Sequence, residues 1–244
     1  MQEFLNRVIH GNSAEIMTYM PNESVDLTVT SPPYDDLRTY NGYTFPFEEV
    51  AKQLYRVTKQ GGIVVWVVGD KTDKGSETLT SFKQALYFKE IGFNVHDTMI
   101  YAKENWIPLT HNRYEQQFEY MFIFSKGKPK TFNPIKTPTK NGGNIARKVR
   151  DYTSEELVKN VIAPDKTIKL EKIKPNIWFY GVGKGVSTTD SIAHQHPAIF
   201  PEKLAEDHIL SWSNEFDTVL DCFCGSGTTL KMAYLNNRNF IGKW

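Results

Sequence analysis

Thr218-Val219-Leu220-Asp221-Cys222-Phe223-Cys224-Gly225-Ser226-Gly227-Thr228-Thr229 is the stretch on which the fold turns. Its first three residues favour a short buried strand, which ends at Asp221. Gly225 and Gly227 suit a tight turn, and residues 228–235 carry a helical pattern. Glycines let the backbone approach a ligand, and a helix start offers unpaired N–H groups. By itself this strand–turn–helix unit fits several cofactor-binding folds, or a turn packed for structural reasons alone. It is not a P-loop, because no Gly-Lys-Ser/Thr follows, and it lacks the full G-x-G-x-x-G spacing of dinucleotide binders.

Working outward, apolar runs alternate with helical patterns, the order expected of an α/β sheet. Strands are expected at residues 25–30, 63–68, 95–101, 120–124 and 218–220, with another beginning at 239–241. Residues 47–57 place Phe47, Val50, Ala51, Leu54 and Val57 on one helical stripe. Further helices are expected at 78–91, with Gly92 past its end, at 201–212 behind Pro201, and at 228–235. Residues 126–174 break the rhythm with Pro129, Pro134, Pro138, Gly142, Gly143 and Pro164, and only 153–161 reads there as a helix. The chain therefore divides into residues 1–125, an insertion at 126–176, and residues 177–244.

The insertion is also where the charge lies. Residues 126–174 hold 13 Lys/Arg against 5 Asp/Glu, a net of +8, while the whole chain is only +1. The remainder is thus acidic, and a basic segment on an acidic body suits a polyanionic partner, although a solvated charged loop is the plainer alternative. A hydrophobic content of 40% with 23% charged residues is ordinary for a globular protein. No apolar run is long enough to span a bilayer, and the start of the chain is too polar for a signal peptide. The two cysteines, Cys222 and Cys224, are too close in sequence for a favourable mutual disulfide. These features fit a cytoplasmic protein with no membrane partner.

A second motif, Thr30-Ser31-Pro32-Pro33-Tyr34, ends the strand at 25–30. Two prolines remove two backbone donors and leave carbonyls facing outward. With a hydroxyl before them and an aromatic ring after them, the loop suits a planar heterocycle bearing an amino group: oxygens accept the amino hydrogens while Tyr34 stacks on the ring. Pro-Pro alone reads as a rigid turn; strand, Ser and Tyr together favour the chemical reading.

Here the chain resembles the amino-methyltransferase family that modifies adenine N6 or cytosine N4 in DNA. Ser31-Pro32-Pro33-Tyr34 matches its catalytic (D/N/S)-P-P-(Y/F) loop, and residues 221–229 resemble its cofactor loop, with Cys222 where proline is usual. The catalytic loop comes first, as in the circularly permuted β-type order. Phe124-Ser125-Lys126-Gly127 with Phe132-Asn133-Pro134 resembles the segment before the target-recognition region, and His196-Pro197 with Pro201 resembles a motif enclosing the methionine end of the cofactor.

The resemblance implies a Rossmann-like S-adenosylmethionine-dependent methyltransferase fold, circularly permuted, with a mixed, mostly parallel sheet and a target-recognition insertion. It implies Ser31, Pro32, Pro33 and Tyr34 as catalytic residues. Cofactor contacts fall to Asp221, Cys222, Phe223, Gly225, Ser226, Gly227, Thr228, His196, Pro197 and Asn12. Arg147, Lys148 and Arg150 in the insertion would bind double-stranded DNA. A cognate restriction endonuclease would be a biological partner. Ser at the first loop position goes mostly with cytosine in this family, so N4 of a flipped-out cytosine is the expected target, with adenine N6 and a non-catalytic DNA-binding relative as alternatives. Relatives continue past the Phe-Ile-Gly strand to an acidic ribose-binding residue, so the cofactor half is expected to be C-terminally truncated at Trp244.

No Pro-Cys pair occurs, which argues against the covalent route used for cytosine C5. His194-Gln195-His196 lacks a third ligand, so no metal is expected. Asp70 reads equally as a pocket residue or a turn cap; Trp66 and Tyr180 read as packing.

Overall fold

The computed structural model describes residues 1–33, 45–105, 112–145, 149–150, 160–161, 167–183, 185–190, 193, 199 and 201–243. It forms two compact units, Met1–Asn133 with Asn176–Trp244, and Pro134–Pro175. Lys126 belongs with the larger unit, where its ammonium donates to the carbonyls of Tyr55 and Thr58 at 3.0 Å each. Asn133 does too, its backbone N–H donating to Ser211 O at 2.8 Å.

The larger unit opens with β1 (Arg7–Ile9), α1 (Ser13–Thr18), β2 (Val25–Thr30), α2 (Phe47–Val57) and β3 (Thr58–Val68). A small hairpin, β4 (Thr72–Asp73) and β5 (Ser76–Glu77), leads to α3 (Thr80–Glu90), β6 (Asn94–Lys103) and β7 (Phe118–Ser125). The smaller unit pairs β8 (Lys136–Pro138) with β11 (Glu171–Ile173), and β9 (Val149–Arg150) with β10 (Asn160–Val161). Asn160 and Val161, expected at the end of a helix, are strand; residues 151–159 lie outside the described residues. The larger unit then resumes with β12 (Ile177–Tyr180), α4 (Glu202–Trp212), β13 (Thr218–Asp221), α5 (Thr228–Leu235) and β14 (Asn239–Lys243).

Eight strands form one sheet in the order β1-β14-β13-β2-β3-β7-β6-β12. β7 is antiparallel to both neighbours and every other pairing is parallel. The strands other than β7 therefore deliver their following loops to one carboxyl edge, the place where open α/β sheets gather ligand-binding residues.

The core follows the patterning. On α2, Val50, Ala51, Leu54 and Val57 are buried, each large side chain contributing about 1.5–3 kcal/mol. They join Val64, Trp66 and Val68 of β3 and Phe88 of α3 in one cluster. Gly61 and Gly62 fall just before the strand expected at 63–68 but lie inside β3. The pairing with β2 shifts register between Val25 and Leu27 there, and a Cβ on Gly62 would stand 2.9 Å from Asp26 O. Asp70 satisfies the first turn of α3 from outside the helix, whose N-cap is Leu79: its carboxylate accepts from Ser81 N at 2.9 Å and from Ser81 Oγ at 2.5 Å. Trp66 is fully buried and Tyr180 donates to Asp207 at 2.8 Å, so both serve packing.

Candidate active site

β2 and β13 are hydrogen-bonded neighbours, so the sheet sets the loop that begins at Ser31 beside the turn that begins at Cys222. Thr30, the last residue of β2, donates its hydroxyl to Asp221 Oδ1 at 2.6 Å. The same oxygen accepts the Phe223 backbone N–H at 3.1 Å. Asp221, expected among the cofactor contacts, is buried and spends its carboxylate on joining the two loops. Burial pushes its pKa up to about 6, against the hydrogen bonds from Thr30, Phe223 and Thr229 that favour the charged form.

Below the turn the contacts are dense. Ser13 Oγ donates to Cys222 O at 2.6 Å, Cys224 N to Lys243 O at 2.9 Å, and Thr229 Oγ1 to Val29 O at 3.3 Å. Above it the turn is open. Gly225 and Gly227 have positive φ, of 47° and 81°, a region that glycine enters without steric cost. A Cβ on Gly227 would meet nothing within 4 Å. Gly227 caps α5 and supplies no side chain, so among the described residues the first turn of the helix has no side-chain cap hydrogen bond. Ser226 Oγ and Thr228 Oγ1 lie 3.2 Å apart beside them. Phe223 is half-buried and meets Phe45 edge to face at 5.2 Å.

The cysteines are buried beneath this turn, and both thiols are held protonated by burial, Cys224 with its pKa raised to about 12. Cys222 Sγ approaches Thr30 Oγ1 at 4.0 Å, so this residue supports the loop junction from below. Asn12 is the N-cap of α1: its Oδ1 accepts from Ala14 N at 2.9 Å and from Glu15 N at 3.3 Å. Capping consumes the acceptor and leaves the amide hydrogens as the end of Asn12 available to a ligand.

On the loop after β2, Pro32 is buried while Ser31 and Pro33 are half-buried. Tyr34, Arg147, Lys148, His196 and Pro197 lie outside the described residues, as does the side chain of Arg150, whose backbone is in β9. Sequence reasoning passed over Ser13 and Lys243. The Lys243 side chain is buried at the end of β14, 3.3 Å from Ser13 Oγ, and burial lowers its pKa. Nothing in the spacing of the sequence marks either residue. Among the described residues no cluster of His, Cys, Asp or Glu could hold a metal, and no helix is long and apolar enough to cross a membrane.

A mostly parallel sheet with a glycine turn and a Pro-Pro loop on adjacent strand ends defines a Rossmann-like methyltransferase fold. Likeness to solved structures agrees. The cytosine-N4-specific PvuII DNA methyltransferase superposes with a TM-score of 0.68 at 21% identity, over 97% of this chain and 80% of that one. A Thermus thermophilus protein described as a DNA modification methylase, complexed with S-adenosyl-L-methionine, does so with a TM-score of 0.60 at 22% identity, over 97% and 88%. The chain belongs to the N6/N4 DNA methylase family, which it matches over residues 25–243. It is 61% identical over 220 residues, 90% of this chain and 83% of the other, to the orphan methyltransferase M.BamHII of Bacillus amyloliquefaciens.

Proposed function

We propose that this DNA methyltransferase transfers a methyl group from S-adenosylmethionine to N4 of a cytosine flipped out of double-stranded DNA. The observation that carries the reading is the Thr30–Asp221 hydrogen bond, because it locks the amino-binding loop and the glycine turn side by side. The turn fits the cofactor chemically: it is open above Gly227, it presents uncapped helix N–H groups to a carboxylate, and Phe223 gives an apolar wall. Phe223, Gly225, Ser226, Gly227 and Thr228 would hold the cofactor there, with Asn12, His196 and Pro197 completing the pocket. When bound, S-adenosylmethionine supplies an electrophilic methyl carbon on a sulfonium.

The chain's own residues perform the rest. The lone pair of an exocyclic amino nitrogen is delocalised into its ring, so the nitrogen is a weak nucleophile. Ser31 Oγ and the Pro32 carbonyl accept its hydrogens and draw electron density back onto nitrogen. Because neither proline has an N–H, no backbone donor competes at that point. The acceptors are fixed before the base arrives, so little reorganisation is needed as positive charge develops. Tyr34 stacks on the extruded ring; such stacking contributes about 1–3 kcal/mol. Arg147, Lys148 and Arg150 in the basic insertion contact phosphates. The protein acts in the cytoplasm, and a restriction endonuclease of the same specificity is the partner whose cleavage this methylation blocks.

Serine at position 31 supports cytosine. Incubation with unmethylated mixed-sequence DNA and labelled cofactor, followed by digestion to nucleosides, tests the choice. N4-methylcytosine is expected. N6-methyladenine as the labelled product overturns the cytosine assignment, and absence of any labelled nucleoside overturns the enzymatic reading.

A further inference from the structure

Beside the carboxyl edge, α2 and α3 border a cavity of about 450 Å³. Its lining includes Pro33, Phe45, Phe47, Glu48, Gln84 and Tyr87. The rings brace one another, Phe47 meeting Phe45 at 6.0 Å and Tyr87 at 5.4 Å, both edge to face.

Gln84 is the informative residue. It is only 5% exposed, and its Oε1 accepts the Trp66 indole N–H at 2.8 Å. An indole nitrogen donates and never accepts. Turning the amide over would set its NH₂ against the indole N–H, so Trp66 dictates which end of Gln84 is presented. The Nε2 end takes no partner among the described residues and is not sealed from the cavity that Gln84 lines. A nearly buried side chain thus offers an oriented donor to an aromatic-walled space adjoining the catalytic loop. Unmet donors of this kind favour ligands that carry a matching acceptor.

The geometry points to a nucleobase subsite in this cavity, where the Gln84 amide donates to the ring nitrogen next to the amino group being methylated. The inference rests on the base-flipping reading above. Cytosine N3 and adenine N1 are acceptors and pair with such a donor. Thymine N3 and guanine N1 carry hydrogens and would face it donor to donor. A fixed amide at this position therefore selects bases in which the amino group adjoins an unprotonated ring nitrogen. A site built around a hydrogen bond rejects an analogue that cannot make it more strongly than an apolar pocket rejects a change of shape. Glu48, which accepts from the Tyr87 hydroxyl at 3.3 Å, holds that ring at the cavity wall. Lys83 also lines the space.

The test replaces one atom of the DNA. A duplex carrying the methylated site is made with the target base as its deaza analogue, 3-deazacytosine or 1-deazaadenine, in which the ring nitrogen becomes C–H and the amino group stays. Single-turnover methylation and duplex affinity are then measured for the wild type and for Gln84→Met, with near-ultraviolet circular dichroism to confirm folding. The analogue is expected to lower the wild-type rate at subsaturating DNA about tenfold. In the variant it should cost less than about twofold, because the donor is already gone. Equal losses in the two proteins, or no loss in the wild type, overturn the assignment. Gln84→Glu serves as a second variant: its carboxylate still accepts from Trp66 but turns an acceptor toward the ring nitrogen. Assayed above the pH at which that carboxyl ionises, it should lose more activity on the natural base than Gln84→Met, and an unimpaired Glu variant there also refutes the subsite. Wild-type methylation of unmodified DNA is read separately, so failure of the enzymatic reading and failure of the subsite give different results.

Discussion

Replacing Asp221 with Asn should make the protein more stable at neutral pH, although the residue sits at the junction of both chemical loops. The carboxylate is buried, and burial raises its pKa from 3.8 to about 6 despite the donors around it. The native state therefore holds this proton more tightly than the unfolded chain does. Stability from this group is greatest below pH 3.8 and declines as pH rises through about 6, by ~3 kcal/mol in all. Asparagine does not titrate. Thr30 and Phe223 both donate to the same oxygen, Oδ1, and an amide oxygen in that place keeps both bonds, while the Thr229 hydroxyl keeps its bond to Val29 O. The thiols of Cys222 and Cys224 stay neutral through this window because burial raises their pKas. Urea unfolding of the wild type and Asp221→Asn, followed by circular dichroism across roughly pH 4 to 7.5, measures the difference. The variant's relative stability should climb with pH by up to ~3 kcal/mol and then level off. Parallel curves for the two proteins would show that the Asp221 carboxyl is not the group that titrates, and the argument from its burial would fail.

Ser31→Ala should lower kcat about 10²–10³-fold while calorimetric affinity for S-adenosylhomocysteine stays within about twofold, since the proposed mechanism has the hydroxyl meet the substrate nitrogen and not the cofactor. Cys222 and Cys224 should resist alkylation by iodoacetamide in the native protein and react on unfolding, which mass spectrometry can follow. Gly242→Ala should destabilise by about 1–3 kcal/mol in a thermal melt, because a methyl there runs into the Leu230 side chain on α5. Replacing Arg147, Lys148 or Arg150 with Gln should each weaken the salt dependence of DNA binding, the log–log slope falling by about one for each phosphate no longer neutralised.

What the sequence disclosed, and what it hid, divides along range. The stripe on α2 and the run from Thr218 to Asp221 are local patterns, and the structure shows a helix and a strand there. The Pro-Pro loop and the glycine turn were legible for the same reason. The bond that Asp221 makes was not, because its partner Thr30 lies 191 positions away. Asn12 likewise looks free in the sequence, and only the backbone of α1 shows that its oxygen is taken. Gly61 and Gly62 misled because glycine commonly ends elements, whereas here the pair accommodates a register shift within β3. Gln84 carries no signal at all: its orientation follows from Trp66, 18 positions earlier, through a contact between strand and helix.

The adjacency of β2 and β13 also bears on how the protein is made. During synthesis the first chemical loop emerges long before the second, and their shared hydrogen bond spans 191 positions. β1 waits on β14 in the same way. Pairings of such high sequence separation form late, because closure entropy is paid before the contacts reward it. A nascent or partly refolded chain therefore holds each loop without its counterpart, and methylating activity can arise only when the sheet brings β2 and β13 together. Regain of activity after dilution from denaturant should lag behind the return of helical signal, making catalysis itself a clock for the last step of folding.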